Sequence, residues 1–179
     1  MNDSPSPART LGQILDETVA RYPERDALVY FNQGVRRSWR DFARSVDELA
    51  CGLMALGVAP GEKVAVWATN VPYWVELMFA AARIGAVLLT VNTSYRDSEL
   101  LYLLRQSECE NIFIIDGVRD HDFVATLYKL VPELRTQPRG ELHSGQLPSL
   151  KRVMFLGEER HRGMYSIPEI VELSAAVNK

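Results

Sequence analysis

The chain has 179 residues, of which 47% are apolar and 24% charged, and its formal net charge is −3 at pH 7. This composition suits a folded domain with an apolar core, and the lack of a sustained basic stripe excludes a nucleic-acid-binding surface. The two cysteines, Cys51 and Cys109, are far apart in sequence. They therefore argue against a zinc site or a disulfide framework, and we expect a cytoplasmic protein in which both are small core residues of apolar helices.

Local sequence patterns predict helices and strands that alternate along most of the chain. After a lead over residues 1–9 that we expect to be disordered, apolar residues recur at helical spacing in six segments. These helices are predicted to begin near Thr10, Ser38, Asn70, Asp97, Arg119 and Ser166. Apolar or alternating runs bounded by turn residues predict strands. The strand sequences are "DALVYF" (26–31), "VRRSW" (35–39), "KVAVWA" (63–68), "AVLLTV" (86–91), "NIFIID" (111–116) and "KRVMFL" (151–156).

Several residues are assigned to the ends of these elements. Thr10 with Gln13, Ser38 with Asp41 and Ser166 with Glu169 have the spacing of helix N-terminal caps, and Asn70 is expected to cap the helix that contains Pro72. Gly57 and Gly85 are expected to end helices. Three arginines, Arg36, Arg37 and Arg40, lie at a strand-to-helix corner, where we interpret them as a solvated face.

Strands rich in Val, Ile and Leu that alternate with helices predict an α/β fold, with a mostly parallel sheet covered by helices on both faces. The segment 132–150 is polar and broken by Pro and Gly, so we expect a loop there. The most apolar stretch, "WVELMFAAARIGAVLLTV", is interrupted by Glu76, Arg83 and Gly85, and it is interpreted as a buried helix and strand, not a transmembrane span. The N-terminus lacks the apolar core of a secretory signal. Because the alternation stops at a helix, we expect an incomplete portion of a larger fold.

Common catalytic and cofactor motifs are missing from the chain. No GxGxxG follows a strand and no GxSxG is present, while "GVAPGEKV" (57–64) precedes a strand and is interpreted as a turn. His121, His143 and His161 lack ligand spacing and are interpreted as surface residues, so no metal site is predicted. The aspartates of "RDHD" (119–122) suit a helix N-terminus for dipole reasons alone. Four aromatic residues are expected to fill the core rather than an acyl pocket, namely Trp67, Tyr73, Trp74 and Phe79.

Three segments carry a family resemblance. They are "GVAPGEKVAV", "NVPYWVELMFAAARIGAV" and "VNTSYRDSELLYLLRQS". With the surrounding sequence they closely resemble the N-terminal part of the adenylate-forming acyl-CoA synthetases, a superfamily that includes firefly luciferase and the adenylation domains of peptide synthetases. The run "NTSYRDSELLYLL" and the loop ending in "LPSLKRV" are most similar to bacterial medium- or long-chain fatty-acyl-CoA ligases.

The resemblance implies a two-step reaction. A carboxylate attacks the α-phosphate of ATP to give an acyl-adenylate and pyrophosphate, and the thiol of coenzyme A then displaces AMP. The chemistry requires ATP, Mg²⁺ and a lysine that neutralises the attacking carboxylate. The family's phosphate loop, its adenine- and Mg²⁺-binding motifs and its catalytic lysine match no segment here, so residues 1–179 alone are expected to be inactive. No catalytic or metal-binding residue is therefore assigned.

Arg96 stands where a helix N-terminal cap normally lies, although a helix start carries about half a positive charge. The resemblance implies that the loop containing Asn92, Thr93 and Arg96, and the segment containing Arg119, contact the 3′-phosphate and adenine of coenzyme A. A guanidinium beside free backbone N–H groups suits a phosphate. Alternatively, Asp97 and Glu99 simply neutralise Arg96 at the surface.

Two other functions compete with an acyl-CoA ligase. A non-catalytic interaction module would keep the scaffold without the chemistry, and an unrelated nucleotide-binding α/β domain would share only the general architecture. The expected partners are the remainder of a ligase chain, a carboxylic-acid substrate and coenzyme A. A further expected partner is a second copy of the chain, bound through an uncovered sheet edge.

Overall fold

The fold is described from a computed structural model over residues 9–177, with side chains described up to residue 175. The helices are α1 Leu11–Arg21, α2 Trp39–Ala55, α3 Pro72–Arg83, α4 Asp97–Gln106, α5 Phe123–Leu130 and α6 Ile167–Val177. The strands are β1 Asp26–Tyr30, β2 Val35–Ser38, β3 Lys63–Trp67, β4 Val87–Thr90, β5 Asn111–Ile114, β6 Gly117–Val118, β7 His121–Asp122, β8 Arg152–Phe155 and β9 Met164–Ser166. Of the lead predicted to be disordered, residues 1–8 lie outside the described residues.

A five-stranded parallel sheet organises the domain, in the order β4-β3-β5-β8-β9. The α/β fold class predicted from the sequence is confirmed. The fifth strand, β9, was not predicted because "MYS" is too short to stand out as a strand. It follows β8 without an intervening helix and pairs with it through Val153 and Met164.

The sheet separates two apolar cores. Val64 and Val66 of β3 face the core that contains α1, α2, α3 and α6, whereas Ala65 and Trp67 face the core that contains α4 and α5. Strand alternation explains this division, because successive side chains point to opposite faces. The segment 132–150, predicted to be a loop, begins with a short 3-10 helix over Pro132–Arg135 and is irregular after it. It closes the second core through four buried leucines, Leu134, Leu142, Leu147 and Leu150.

The aromatic residues predicted to fill the core do pack there. Trp67 is fully buried, and Tyr73, Trp74 and Phe79 are partly buried against the first core. No helix among residues 9–177 is long and apolar enough to cross a membrane.

Most of the predicted helix ends are observed. Thr10 and Gln13 exchange both hydrogen bonds of a capping box, and the Ser38 hydroxyl accepts the N–H of Asp41 at 3.1 Å. Gly57 and Gly85 have the left-handed backbone expected after a helix, with φ of +82° and +72°. The assignment of Asn70 is wrong: the cap position is Val71, which makes no side-chain cap bond, because Pro72 is already the first helical residue.

The two charges inside the apolar helix α3 are both paired. Glu76 is 3% exposed, and its Oε1 lies 2.9 Å from Nε of Arg37 on β2. Arg83 bonds Asp16 of α1 at 2.5 Å and Asp47 of α2 at 2.8 Å. Arg37 is therefore no part of a solvated face, unlike Arg36, which pairs with Asp26 at the surface.

The cysteines differ in their environments. Cys51 is partly buried within α2, as predicted, whereas Cys109 follows the end of α4 and is fully buried. Burial raises the pKa of the Cys109 thiol to about 11. Cys109 therefore behaves as a small, unreactive core residue at neutral pH.

The turn that follows helix α4 contains a strained residue, Glu108, whose φ is +49°. The N–H groups of Glu108 and Cys109 turn back to the carbonyls of Arg105 and Leu104, both at 3.0 Å, as in a Schellman cap. Replacing Glu108 by glycine should raise the free energy of unfolding by about 0.5–1 kcal/mol in urea denaturation, because glycine adopts this conformation without strain. Ser107→Gly is the matched control, because Ser107 has helical φ, and it should destabilise. An unchanged or lower stability for Glu108→Gly would contradict the prediction.

Strand β4 lies at one edge of the sheet and pairs only with β3 among residues 9–177. Its sequence is apolar, yet Val87 is 52% exposed. An exposed apolar edge without lysine or proline is open to pairing with another strand. Dimerisation through this edge stays a prediction.

Candidate ligand site at the carboxyl edge of the sheet

The strand order defines where a ligand would bind. Counted from β3, the strands lie in the order 2-1-3-4-5 along the sheet. The helices that follow β3 and β5 cover opposite faces, since α3 packs in the first core and α5 in the second. The chain therefore leaves the neighbouring strands β3 and β5 toward opposite faces of the sheet. Open α/β sheets bind ligands in the crevice that this divergence creates at the carboxyl ends of the strands.

Trp67, the last residue of β3, connects the loops that follow the two neighbouring strands. Its ring stacks on Phe123 with centroids 3.6 Å apart, and the His121 ring packs beside this pair at a steep angle, with its centroid 5.3 Å from that of Trp67. Its indole N–H donates to the carbonyl of Asn92 at 3.2 Å. The loop after β4 and the segment after β5 are thus held on one buried aromatic side chain.

Arg119 lies at the turn of a small antiparallel hairpin formed by β6 and β7, with φ of +55°. The prediction that a helix begins at Arg119 is wrong, because α5 begins at Phe123. Asp122 caps α5 by accepting the N–H of Ala125 at 2.7 Å. Gly117 makes the hairpin possible, since a Cβ there would lie 2.1 Å from the carbonyl oxygen of His121. Arg119 therefore has no free helix N–H groups beside it.

The loop after β4 contains the other predicted site residues. Asn92 is exposed, and its Oδ1 accepts the N–H of Ser94 at 2.9 Å, while Thr93 is half-buried in the same turn. Arg96 occupies the N-terminal cap position of α4 as predicted, and its backbone N–H donates to Glu99 at 2.9 Å. Among residues 9–177 the Arg96 guanidinium has neither a hydrogen bond nor an ion pair, and it is exposed to solvent.

Asp97 does not neutralise Arg96. Its carboxylate bonds Lys129 of α5 at 2.5 Å, and this hydrogen bond lowers the pKa of Asp97 below its ordinary value. The pair links the start of α4 to α5. The Arg96 side chain remains available to an anion.

A cleft of about 470 Å³ opens beside the hairpin and is lined by six residues of the segment 116–122, with Val124 and His161. Arg119 lines the cleft, and Asn92, Thr93 and Arg96 do not. The cleft also contains three aspartates, of which Asp122 is committed to its cap. Within the described part of the chain, Arg119 makes no side-chain hydrogen bond or ion pair.

The histidines differ from their interpretation as surface residues. His121 is 9% exposed and packs against Trp67 and Phe123, so the surface interpretation is wrong for it. His161 is partly buried against Phe155, whereas His143 is exposed. Asp116, Glu159 and His161 bring one potential ligand atom each within 4.8 Å of one another. Such a cluster is common without an ion and does not by itself define a metal site.

Comparisons with known proteins place this geometry in a family. The AMP-binding enzyme family matches residues 15–163. The chain belongs to this family of adenylate-forming enzymes. It is 40% identical over 156 residues to YngI of Bacillus subtilis, which is named as an acyl-CoA synthetase, covering 87% of the chain and 28% of YngI. It is also 28% identical over 176 residues to the zebrafish (Danio rerio) mitochondrial medium-chain acyl-CoA ligase ACSF2, covering 98% of the chain and 29% of that protein.

The solved structures agree on the fold. The chain superposes on the anthranilate CoA ligase AuaEII with a TM-score of 0.74 and 21% identity, over 96% of the chain and 30% of that structure. The chain therefore spans less than a third of each of these three proteins. Family membership excludes the alternative of an unrelated nucleotide-binding domain. The cytoplasmic location stays a prediction, since one relative is named as mitochondrial.

The sequence identified Arg96 and Arg119 as site residues, but it did not predict the contacts of Trp67 and His121 that connect the two loops. Trp67 was recognised as a core residue, and its bond to Asn92 depends on a contact 25 residues away. The burial of His121 was missed because the predicted start of α5, Arg119, lies four residues before its observed start, Phe123. The spacing of Asp122 before Ala125 was the available signal for the true helix start.

Proposed function

We propose that this chain is the N-terminal part of an ATP-dependent ligase that activates a fatty or other carboxylic acid as an acyl-adenylate and transfers it to coenzyme A. Family membership and the acyl-CoA synthetase relatives support this function. ATP, Mg²⁺ and coenzyme A are the proposed reactants and cofactors of the complete enzyme. The chain corresponds to under a third of these relatives, so the catalytic chemistry is assigned to segments other than residues 1–179.

The contribution proposed for this chain is binding of the phosphorylated nucleotide end of coenzyme A, through Asn92, Thr93, Arg96 and Arg119. The single observation that carries the proposal is that Arg96 and Arg119 have guanidinium groups without partners among residues 9–177, on the loops that follow two strands flanking β3. Trp67 fixes both loops, through Asn92 on one side and His121 on the other. A guanidinium without an internal partner suits bidentate contact with a phosphate.

The ligase reaction can be tested on the complete reading frame that contains this chain. With ATP, Mg²⁺, coenzyme A and fatty acids of increasing length, we expect acyl-CoA, AMP and pyrophosphate in equal amounts. The matched control is the 179-residue chain, which should produce none of them. If the complete protein forms neither acyl-adenylate nor acyl-CoA, the proposal is wrong and the alternative of a non-catalytic interaction module is favoured.

The arginines make a separate prediction for the KM of coenzyme A. In the complete enzyme, Arg119→Asn and Arg96→Gln should each raise this KM about three- to fivefold, with little change in kcat, because each variant loses a charged contact to a phosphate at an exposed site. Asparagine tolerates the left-handed backbone at position 119, so the hairpin is retained. The KM for dephospho-coenzyme A should not change. Equal losses for both cofactors would contradict a contact with the 3′-phosphate.

A further inference from the structure

The hydrogen bonds around His121 determine which of its ring nitrogens carries the proton. Nε2 lies 3.1 Å from Oγ1 of Thr126, and that hydroxyl also lies 2.8 Å from the carbonyl oxygen of Asp122. The Asp122 carbonyl can only accept, so the single hydroxyl proton of Thr126 points to it. Nε2 of His121 must then donate to Thr126, and the neutral ring carries its proton on Nε2.

This arrangement leaves Nδ1 of His121 as a hydrogen-bond acceptor. Among residues 9–177 no group forms a hydrogen bond with Nδ1. This atom is not completely buried, so a ligand can reach it. The residue is only 9% exposed and is held by Trp67, Phe123 and Thr126, yet His121 lines the same cleft as Arg119. A fixed acceptor and an unpaired guanidinium therefore lie two residues apart, across the turn of one hairpin.

We propose that His121 is a specificity-determining residue of this cleft, where its Nδ1 accepts a hydrogen bond from the ribose 2′-hydroxyl beside the phosphate that Arg119 binds. The inference rests on the proposed function, because coenzyme A carries a 3′-phosphate next to a free 2′-hydroxyl. An acceptor beside a guanidinium fits this pair of groups, since the hydroxyl donates and the phosphate accepts.

The acidic residues of the cleft limit where the phosphate can lie. Asp116 is at the base of the hairpin, in the cluster with Glu159 and His161, and Asp122 is held by its cap on α5. Asp120 is next to Arg119 and is exposed. The phosphate is therefore assigned to Arg119, away from Asp116, and Asp116→Asn should tighten its binding by reducing repulsion.

Two substitutions separate the acceptor from the structural role of His121. In His121→Gln the amide nitrogen can take the place of Nε2 and keep the bond to Thr126, while no acceptor remains at the Nδ1 position. In His121→Asn the amide oxygen can take the place of Nδ1, while the bond to Thr126 is lost. The melting temperature of each variant reports the structural role, and ligand discrimination reports the acceptor.

The experiment is calorimetric titration of the 179-residue chain with three probes: adenosine 3′,5′-bisphosphate, its 2′-deoxy analogue and AMP. The wild-type chain should bind the bisphosphate about three- to tenfold more tightly than the 2′-deoxy analogue, as expected for one neutral hydrogen bond. His121→Gln should bind the two equally with an unchanged melting temperature. His121→Asn should keep the discrimination and melt at a lower temperature.

The outcomes separate this inference from the proposed function. If the wild-type chain prefers the bisphosphate over AMP but ignores the 2′-hydroxyl, or if His121→Gln retains the discrimination, the role of His121 is overturned and the phosphate contact stands. If the wild-type chain binds the bisphosphate and AMP equally, or binds neither, the coenzyme A contact itself fails and the inference fails with it.

Discussion

Gly52→Ala is expected to lower the free energy of unfolding by about 2–3 kcal/mol, although alanine is the better helix former. Gly52 lies inside α2 where α6 crosses it, and a Cβ at this position would lie 2.2 Å from the carbonyl oxygen of Ile170 and 2.6 Å from its Cγ2. A backbone carbonyl cannot rotate away as a side chain can. The added methyl group must therefore displace α6 or distort α2.

A second glycine provides the matched control. Gly12 lies in α1, and a Cβ added there would have its nearest neighbour on the Arg83 side chain at 3.5 Å, an ordinary contact distance. Gly12→Ala should raise stability by about 0.5–1 kcal/mol because it improves helix propensity without a clash. Urea denaturation of both variants measures the difference. Equal stability of the two variants would mean that α6 does not pack on α2 as closely as described.

Arg37→Met is the second large effect that we expect, with a loss of about 3 kcal/mol at pH 8. The substitution leaves the Glu76 carboxylate buried without its cation. In the wild-type protein burial already raises the pKa of Glu76, while Arg37 opposes the increase. Without Arg37 the pKa of Glu76 should rise further, so the carboxyl group takes up a proton over a wider pH range.

The pH dependence of this loss has a definite sign. An acid whose pKa is raised by folding binds more protons in the folded state, so its contribution to stability falls as the pH rises from the unfolded pKa through the folded pKa. The deficit of Arg37→Met relative to the wild type should therefore be larger at pH 8 than at pH 5. Denaturation curves at the two pH values give this difference directly.

Two further variants test whether the buried charge is the cause. The double variant Arg37→Met, Glu76→Leu removes both charges and should recover most of the lost stability. Arg36→Met breaks the neighbouring surface pair with Asp26 and should cost at most about 0.5 kcal/mol. A deficit in Arg37→Met that does not depend on pH would assign the loss to packing instead.

The sequence predicted the features that depend on local patterns. The apolar run "KVAVWA" contains the buried strand β3, and the spacing of Thr10 and Gln13 indicated the first helix cap. These features need only strand alternation, helical periodicity and capping chemistry. The family resemblance was equally readable, because its segments are contiguous in the chain.

Features that depend on distant contacts were not predictable in the same way. Arg37 and Glu76 are 39 positions apart by residue number, and they meet only because α2 packs on both the β1–β2 hairpin and α3. The hairpin 117–122 was missed because two-residue strands leave no periodic pattern. Missing this hairpin affected the predicted site, because the position of Arg119 at a turn and the burial of His121 both depend on the hairpin.

The proposed contact with coenzyme A is tested most directly by NMR mapping of this cofactor on the isotopically labelled 179-residue chain. Backbone amide shifts should change in the two loops 92–96 and 117–122 on addition of coenzyme A, and dephospho-coenzyme A at the same concentration should produce clearly smaller changes. Shifts of equal size from both cofactors, or changes confined to other parts of the chain, would contradict the assignment of these loops to the phosphorylated nucleotide end.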